Sequence, residues 1–156
     1  MELEEILSKL WEVGTEYIAI TNENDSFPKY HGEIALYHTE RQILIIVGDH
    51  PGITITEIAP MIHKTTSICS QIIRKFVNYG WVEQNRNEKN RRIYNLQLTA
   101  EGKLAYDTYA SYMNWEKEMI INVLKECSPE ELEAYMNVQI AMNEACRKIN
   151  ARYCDK

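Results

Sequence analysis

A chain of 156 residues with 45% apolar and 26% charged residues, six glycines and four prolines has the composition of an ordinary folded protein rich in helix formers. A domain of this length buries roughly 70% of the surface its unfolded chain exposes, so it needs no disulfide or metal staple. The net charge of −6 argues by itself against a polyanionic partner, and no apolar run approaches the ~20 residues needed to span a membrane.

The N-terminal MELEEILSKLW is acidic and amphipathic and lacks the basic and then apolar pattern of a secretory signal, so the expectation is a cytoplasmic protein. Cys69, Cys127, Cys146 and Cys154 show no CxxC spacing, which predicts reduced packing residues rather than a disulfide frame or a zinc knuckle.

Residues 3–20 carry Leu3, Leu7, Leu10, Trp11, Tyr17 and Ile18 at spacings of three and four, the period of an amphipathic helix, and TNENDSFPKYHG is expected to break it. Thr39 is a candidate N-cap for a short helix, ERQILIIVG, with Ile43, Leu44 and Val47 on its apolar stripe and Gly48 at its end. ITITEIAPMI reads as an extended piece followed by a helix capped by Thr56, kept short by Pro60 in its first turn. His63 and Lys64 make a tight turn, Thr65 caps the next helix and Gly80 stops it. Two helices joined so closely form a helix-turn-helix. In the second of them Cys69, Ile72, Ile73 and Phe76 share one face, while Thr66, Ser67, Ser70, Gln71 and Arg74 share the other.

WVEQNR is then a strand, NEKN a turn and RIYNLQL a returning strand with Tyr94, Leu96 and Leu98 on one side. Thr99 caps a long helix over about 100–125, and SPEE at 128–131 is a full capping box opening a last helix of about 20 residues. The apolar stripes of the terminal helices are longer than the central region can cover, so a second copy of the chain is the simplest partner for them.

Charge is distributed unevenly. Between residues 62 and 92 stand Lys64, Arg74, Lys75, Arg86, Lys89, Arg91 and Arg92 against Glu83 and Glu88, a net +5, which leaves −11 for the remainder. A basic hairpin beside a helix with a polar face has the chemistry of a nucleic-acid surface. Cations at a thin tip neutralise phosphates and release counterions, while helix side chains fit the major groove. Arg86, Lys89, Arg91 and Arg92 are assigned to phosphate. Gln71 can bond adenine bidentately and Arg74 guanine, while Thr66, Ser67 and Ser70 suit bases or phosphate, and Thr65 and Lys75 complete the candidate set.

PGITITEIA (51–59), TSICSQIIRKFVNYGWV (66–82) and NRRIYNLQLTAEGK (90–103), in this order and spacing, resemble the MarR family of winged helix-turn-helix regulators. The resemblance implies a mainly α fold with a small β-hairpin wing and long dimerisation helices at both termini. It divides the chain into a dimerisation helix and loop (1–37), a winged helix-turn-helix (38–99) and C-terminal dimerisation helices (100–156). It also implies a homodimer on double-stranded DNA at a pseudo-palindromic site, with repression relieved by a small ligand. The family's wing usually reads Asp-x-Arg where this chain has Asn90-Arg91-Arg92, so a hydrogen bond from Asn90 to Arg92 is expected in place of a salt bridge. His63 stands where glycine is common, a position that histidine tolerates.

Other chemistry finds little footing. Cys69 falls on the packed face of its helix, which points to an inert thiol. His31, His38, His50 and His63 form no metal-ligand spacing, and no nucleophile elbow, phosphate loop or paired carboxylates stand out, so neither an enzyme nor a cofactor is expected. Trp11, Tyr17, Tyr37, Tyr109 and Tyr112 either line a pocket for a small aromatic effector or build an interface. The rival reading of the whole is a winged-helix interaction module whose basic hairpin binds an acidic protein.

Overall fold

The computed structural model describes residues 2–154, without the side chain of Cys154, so the packing role expected of that cysteine lies outside the described residues. The elements run α1 (Leu3–Ser26), β1 (Lys29–His31), β2 (Ile34–Leu36), α2 (His38–Asp49), α3 (Ile55–Met61), α4 (Thr66–Asn78), β3 (Val82–Arg86), β4 (Tyr94–Leu98), α5 (Ala100–Leu124) and α6 (Pro129–Cys154). The architecture is mainly helical with two small antiparallel hairpins, the second of them the expected wing. The chain divides into two compact units, Met1–Tyr112 and Met113–Lys156, with the boundary inside α5.

The first unit holds the core. Leu36, Ile43, Leu44, Val47, Ile58, Cys69, Ile73, Phe76, Leu96, Ala105 and Tyr109 are fully or almost fully buried in one cluster with Trp81 and Val82. Tyr109 donates its hydroxyl to the Ile34 carbonyl at 2.8 Å, and burial pushes its pKa up to about 12. α1 contributes no buried residue: Leu3, Leu7, Leu10, Trp11, Tyr17 and Ile18 are all exposed. In the second unit no described residue is buried, and Trp115, Met119, Ile120, Val123, Tyr135 and Met136 are exposed.

Several local expectations need correction. α1 does not break at Thr21 but runs to Ser26, with the hydroxyls of Thr21 and Ser26 bonded back to carbonyls of the preceding turn. The segment taken as a loop contains the β1–β2 hairpin, closed by Gly32-Glu33 with Gly32 at φ 59°. α2 is capped by Tyr37 rather than Thr39, because Glu40 reaches back to accept the Tyr37 N–H at 2.9 Å. Likewise α3 starts after Thr54, not Thr56: Glu57 accepts both the Thr54 N–H and its hydroxyl. Pro60 therefore lies in the last turn of α3, where its missing N–H and its constraint on Ala59 help end the helix. α6 has 26 residues, longer than expected, and its Ser128–Glu131 capping box is present in both directions.

α3 and α4 end in the same way. Lys64 N–H reaches the Ala59 carbonyl past His63 at φ 53°, and Trp81 N–H reaches the Phe76 carbonyl past Gly80 at φ 72°. Both are Schellman closures, which place one left-handed residue after the helix and satisfy its last carbonyls. From the second closure the chain enters β3, so α4 and the wing are joined by only three residues, Tyr79, Gly80 and Trp81.

α5 is docked onto that junction. Thr99 N–H donates to the Trp81 carbonyl at 3.0 Å, Thr99 Oγ1 donates to the Gly80 carbonyl, and the Gly102 N–H caps back onto Thr99 Oγ1 at 3.0 Å. A Cβ at Gly102 would lie 1.9 Å from the Trp81 carbonyl oxygen, a backbone atom that has no room to retreat. Gly102→Ala is expected to destabilise the protein by about 1–3 kcal/mol, the usual cost of overpacking. Urea denaturation measures it, with Gly14→Ala, where nothing lies within 4 Å, as the control that should lose no stability.

Candidate nucleic-acid interface

α4 is set by its two faces. Cys69, Ile73 and Phe76 are buried and Ile72 packs against them, so the opposite side is left to solvent. There Ser67, Gln71 and Arg74 stand at i, i+4 and i+7, all exposed, with exposed Thr66 and half-buried Ser70 at the edge. The row continues one turn further to exposed Asn78, and exposed Lys64 precedes it in the turn. Neither was singled out as a site residue, although the same periodicity reaches Asn78. Thr65 caps the helix, accepting the Ile68 N–H at 3.3 Å. Burial pushes the Cys69 thiol up, away from the reactive thiolate.

The wing is a five-residue pairing of β3 with β4, in register from Val82 opposite Leu98 to Arg86 opposite Tyr94. Leu96 anchors it in the core, and its backbone accepts the Gly52 N–H at 2.8 Å and donates to the Ile53 carbonyl at 2.9 Å, tying the turn after α2 to β4. Arg86, Lys89, Arg91 and Arg92 are all exposed, with the Arg86 guanidinium 5.9 Å from the Tyr94 ring centre. The tip is folded around Asn87. Its Oδ1 accepts the N–H groups of Lys89 and Asn90 at 2.9 and 3.0 Å, and its Nδ2 donates to Asn95 Oδ1 at 2.9 Å. Asn95 in turn donates to the Gly52 carbonyl. The Asn90 to Arg92 contact exists but ends on the Arg92 backbone N–H, at 3.1 Å, rather than on the guanidinium. The reason is geometric, since a side chain two residues back closes an Asx turn on the backbone.

The sequence pattern of the MarR family matches residues 36–94, which take in α2, the helix-turn-helix and the wing as far as Tyr94. The same stretch carries the polar face of α4 and the folded tip. Residues 36–94 are a MarR-family domain. Over 84 residues the chain is 23% identical to the HTH-type transcriptional regulator BilQ of Clostridium symbiosum, a match spanning 53% of this chain and 58% of that one. The chain thus aligns with little more than half the length of this relative. Among solved structures it resembles Streptococcus pneumoniae FabT in complex with DNA (TM-score 0.65, 18% identity, 95% of this chain and 99% of that chain). A MarR protein from Peptoclostridium difficile is similar too (TM-score 0.65, 22% identity, 89% and 87%). At these identities the likenesses show a shared fold.

Within the MarR domain one assigned cation is occupied. Lys75 turns to Glu40 of α2, Nζ to Oε1 2.6 Å, and its ammonium lies 5.8 Å from the Tyr79 ring centre. Burial alone would lower the Lys75 pKa, but the hydrogen bond and charge of Glu40 outweigh it and the net shift is upward. The expected cysteine packing holds for Cys69 only. Cys127 and Cys146 are exposed in the single chain, Cys127 beside the α5–α6 turn and Cys146 on α6, which has no buried residue of its own. The five aromatic residues do not gather. Tyr109 and Tyr112 are neighbours, whereas Trp11, Tyr17 and Tyr37 are exposed, and the open cavity of about 450 Å³ lies instead among His50, Pro51, Gly52, Ile53, Glu57 and Met61. Among the described residues no group of His, Cys, Asp or Glu is placed to hold a metal, and no helix is long and apolar enough to cross a membrane.

The hub at Asn87 gives the wing a testable order. Asn87→Ala removes two acceptances by one side-chain oxygen, each worth about 0.5–1.5 kcal/mol. Amide exchange at Lys89 and Asn90 should accelerate about tenfold or more, with little change at Leu96.

Proposed function

We propose that the chain is a homodimeric, sequence-specific DNA-binding transcriptional regulator of the repressor type, acting on a pseudo-palindromic site. The single observation that carries this reading is the continuity of α4 with the wing. The exposed row Ser67–Gln71–Arg74 and the cationic tip Arg86, Lys89, Arg91 and Arg92 belong to one MarR domain and are joined through Trp81. α4 would enter the major groove with Gln71 and Arg74 at base edges, flanked by Thr65, Thr66, Ser67 and Ser70, while the wing tip neutralises phosphates. The structure solved with DNA is of a protein that shares this fold, which supports the reading.

Dimerisation is supported by the exposed apolar residues of α1, α5 and α6, of which the chain alone covers none of α1. The division of labour proposed at residues 38 and 99 follows from this. A small effector, aromatic or otherwise, belongs to the same reading by resemblance, and the structure supplies no residue set for it. The rival, an acidic protein partner for the hairpin, is served by the same charges but gives no role to the uncharged Gln71 and Ser67.

Salt dependence separates the two. With ~8 phosphate contacts per dimer, log affinity for duplex DNA should fall against log salt with a slope near −7, and Arg92→Ala should flatten it by about two. Fluorescence anisotropy over a salt series measures this, and binding that ignores salt would defeat the electrostatic account.

Base readout is tested on a library of single-base variants of a selected site. Arg74→Ala should remove about 1–3 kcal/mol of discrimination at one base pair in each half-site. Cys69→Ser should instead lower the melting temperature and leave base preference unchanged. The opposite pattern would mean that α4 presents another face.

A further inference from the structure

The Glu40–Lys75 pair is built differently from a surface ion pair. Glu40 is the third residue of α2, and its Oε2 is already held by the Tyr37 N–H at 2.9 Å, so its other oxygen, Oε1, is aimed before Lys75 arrives. Its side chain is only 15% exposed, and Lys75 adds a second contact with Tyr79, the residue that closes α4. Lys75 stands one position after Arg74 and four after Gln71, along the border of the exposed row. A tether there resists rotation of α4 about its own axis, whereas the Trp81 closure fixes only its end. A helix with its side chains has a radius of about 5–6 Å, so a rotation of about 10° moves side-chain ends by about 1 Å, enough to spoil a bidentate hydrogen bond.

We propose that Glu40 is a positioning residue for base readout: it holds α4 at its reading angle through Lys75, and Lys75 acts through Glu40 rather than as a phosphate-binding cation. This rests on the DNA-binding reading above. It assigns α2, which carries none of the residues given a DNA contact, a part in specificity.

The experiment compares Glu40→Gln, Lys75→Met, the double variant and Lys75→Arg on two duplexes, one selected from random DNA by the wild-type protein and one of scrambled sequence. Measurements are made well below every melting temperature. The expected result is that each single variant lowers the ratio of selected to scrambled affinity about tenfold, the double lowers it no further, and Lys75→Arg keeps most of it. The salt slope on scrambled DNA should stay at the wild-type value. A merely structural pair would reduce the folded fraction for both duplexes alike and leave the ratio unmoved, which would overturn the proposal. So would a salt slope flattened by about two in Lys75→Met with equal weakening on both duplexes, since that is the signature of a phosphate contact. The same four proteins are unfolded in urea without DNA. Midpoints at which the double variant equals the singles establish the tether in the free protein, and additive losses would refute it. Failure of the wild type to bind either duplex would strike the DNA reading and leave this cycle standing as a separate result.

Discussion

Trp81 is the residue on which the rest of the structure depends. Its N–H closes α4 on the Phe76 carbonyl, its carbonyl receives Thr99 at the start of α5, and the missing side chain of Gly102 lets α5 lie against it. The residue is 4% exposed, and its ring meets Phe76, Tyr79, His31 and Tyr109 at centroid distances of 5.0 to 6.2 Å. Aromatic pairs of this kind contribute about 0.5–1.5 kcal/mol each beyond the area they bury. One residue, through its side chain and the two peptide groups that flank it, thus fixes four things together: the end of the proposed reading helix, the base of the wing, the entry to α5 and the placement of the β1–β2 hairpin.

From this node the functional surface follows by elimination. With Cys69, Ile73 and Phe76 turned into the core, α4 presents its polar row to solvent, and with Leu96 held inside, the wing projects its tip. The net +5 of residues 62–92 is then displayed on an otherwise acidic chain, the polarity needed to approach a polyanion with one surface. Glu40 modifies this field locally by taking Lys75 out of it. The second unit has no core of its own among the described residues, and its apolar side chains, like those of α1, need a cover that the single chain does not supply.

What the sequence made legible was whatever depends on periodicity and caps. The faces of α4, the register side of Leu96, the Thr65 and Thr99 caps, the Ser128–Glu131 box and the left-handed His63 are all local rules, and all stand in the structure. The misplaced starts of α2 and α3 share one cause: glutamates three residues into each helix select Tyr37 and Thr54 as caps, whereas a threonine two residues later has the side chain of a cap but not the partner. The β1–β2 hairpin was missed because its strands are three residues each, too short for an alternation to show. Lys75 and Asn87 could not be read at all. One is decided by a partner 35 positions away, the other by the way a loop closes on a single amide, and neither leaves a trace in spacing.

The central claim is that α4 and the wing form one rigid body through Trp81. Residual dipolar couplings of backbone amides in weakly aligned solution test it most directly, because they report the orientation and relative motion of the two elements. The account predicts that a single alignment tensor fits the amides of Thr66–Asn78 and those of Val82–Arg86 and Tyr94–Leu98 together. Separate tensors of different magnitude for helix and wing would contradict it.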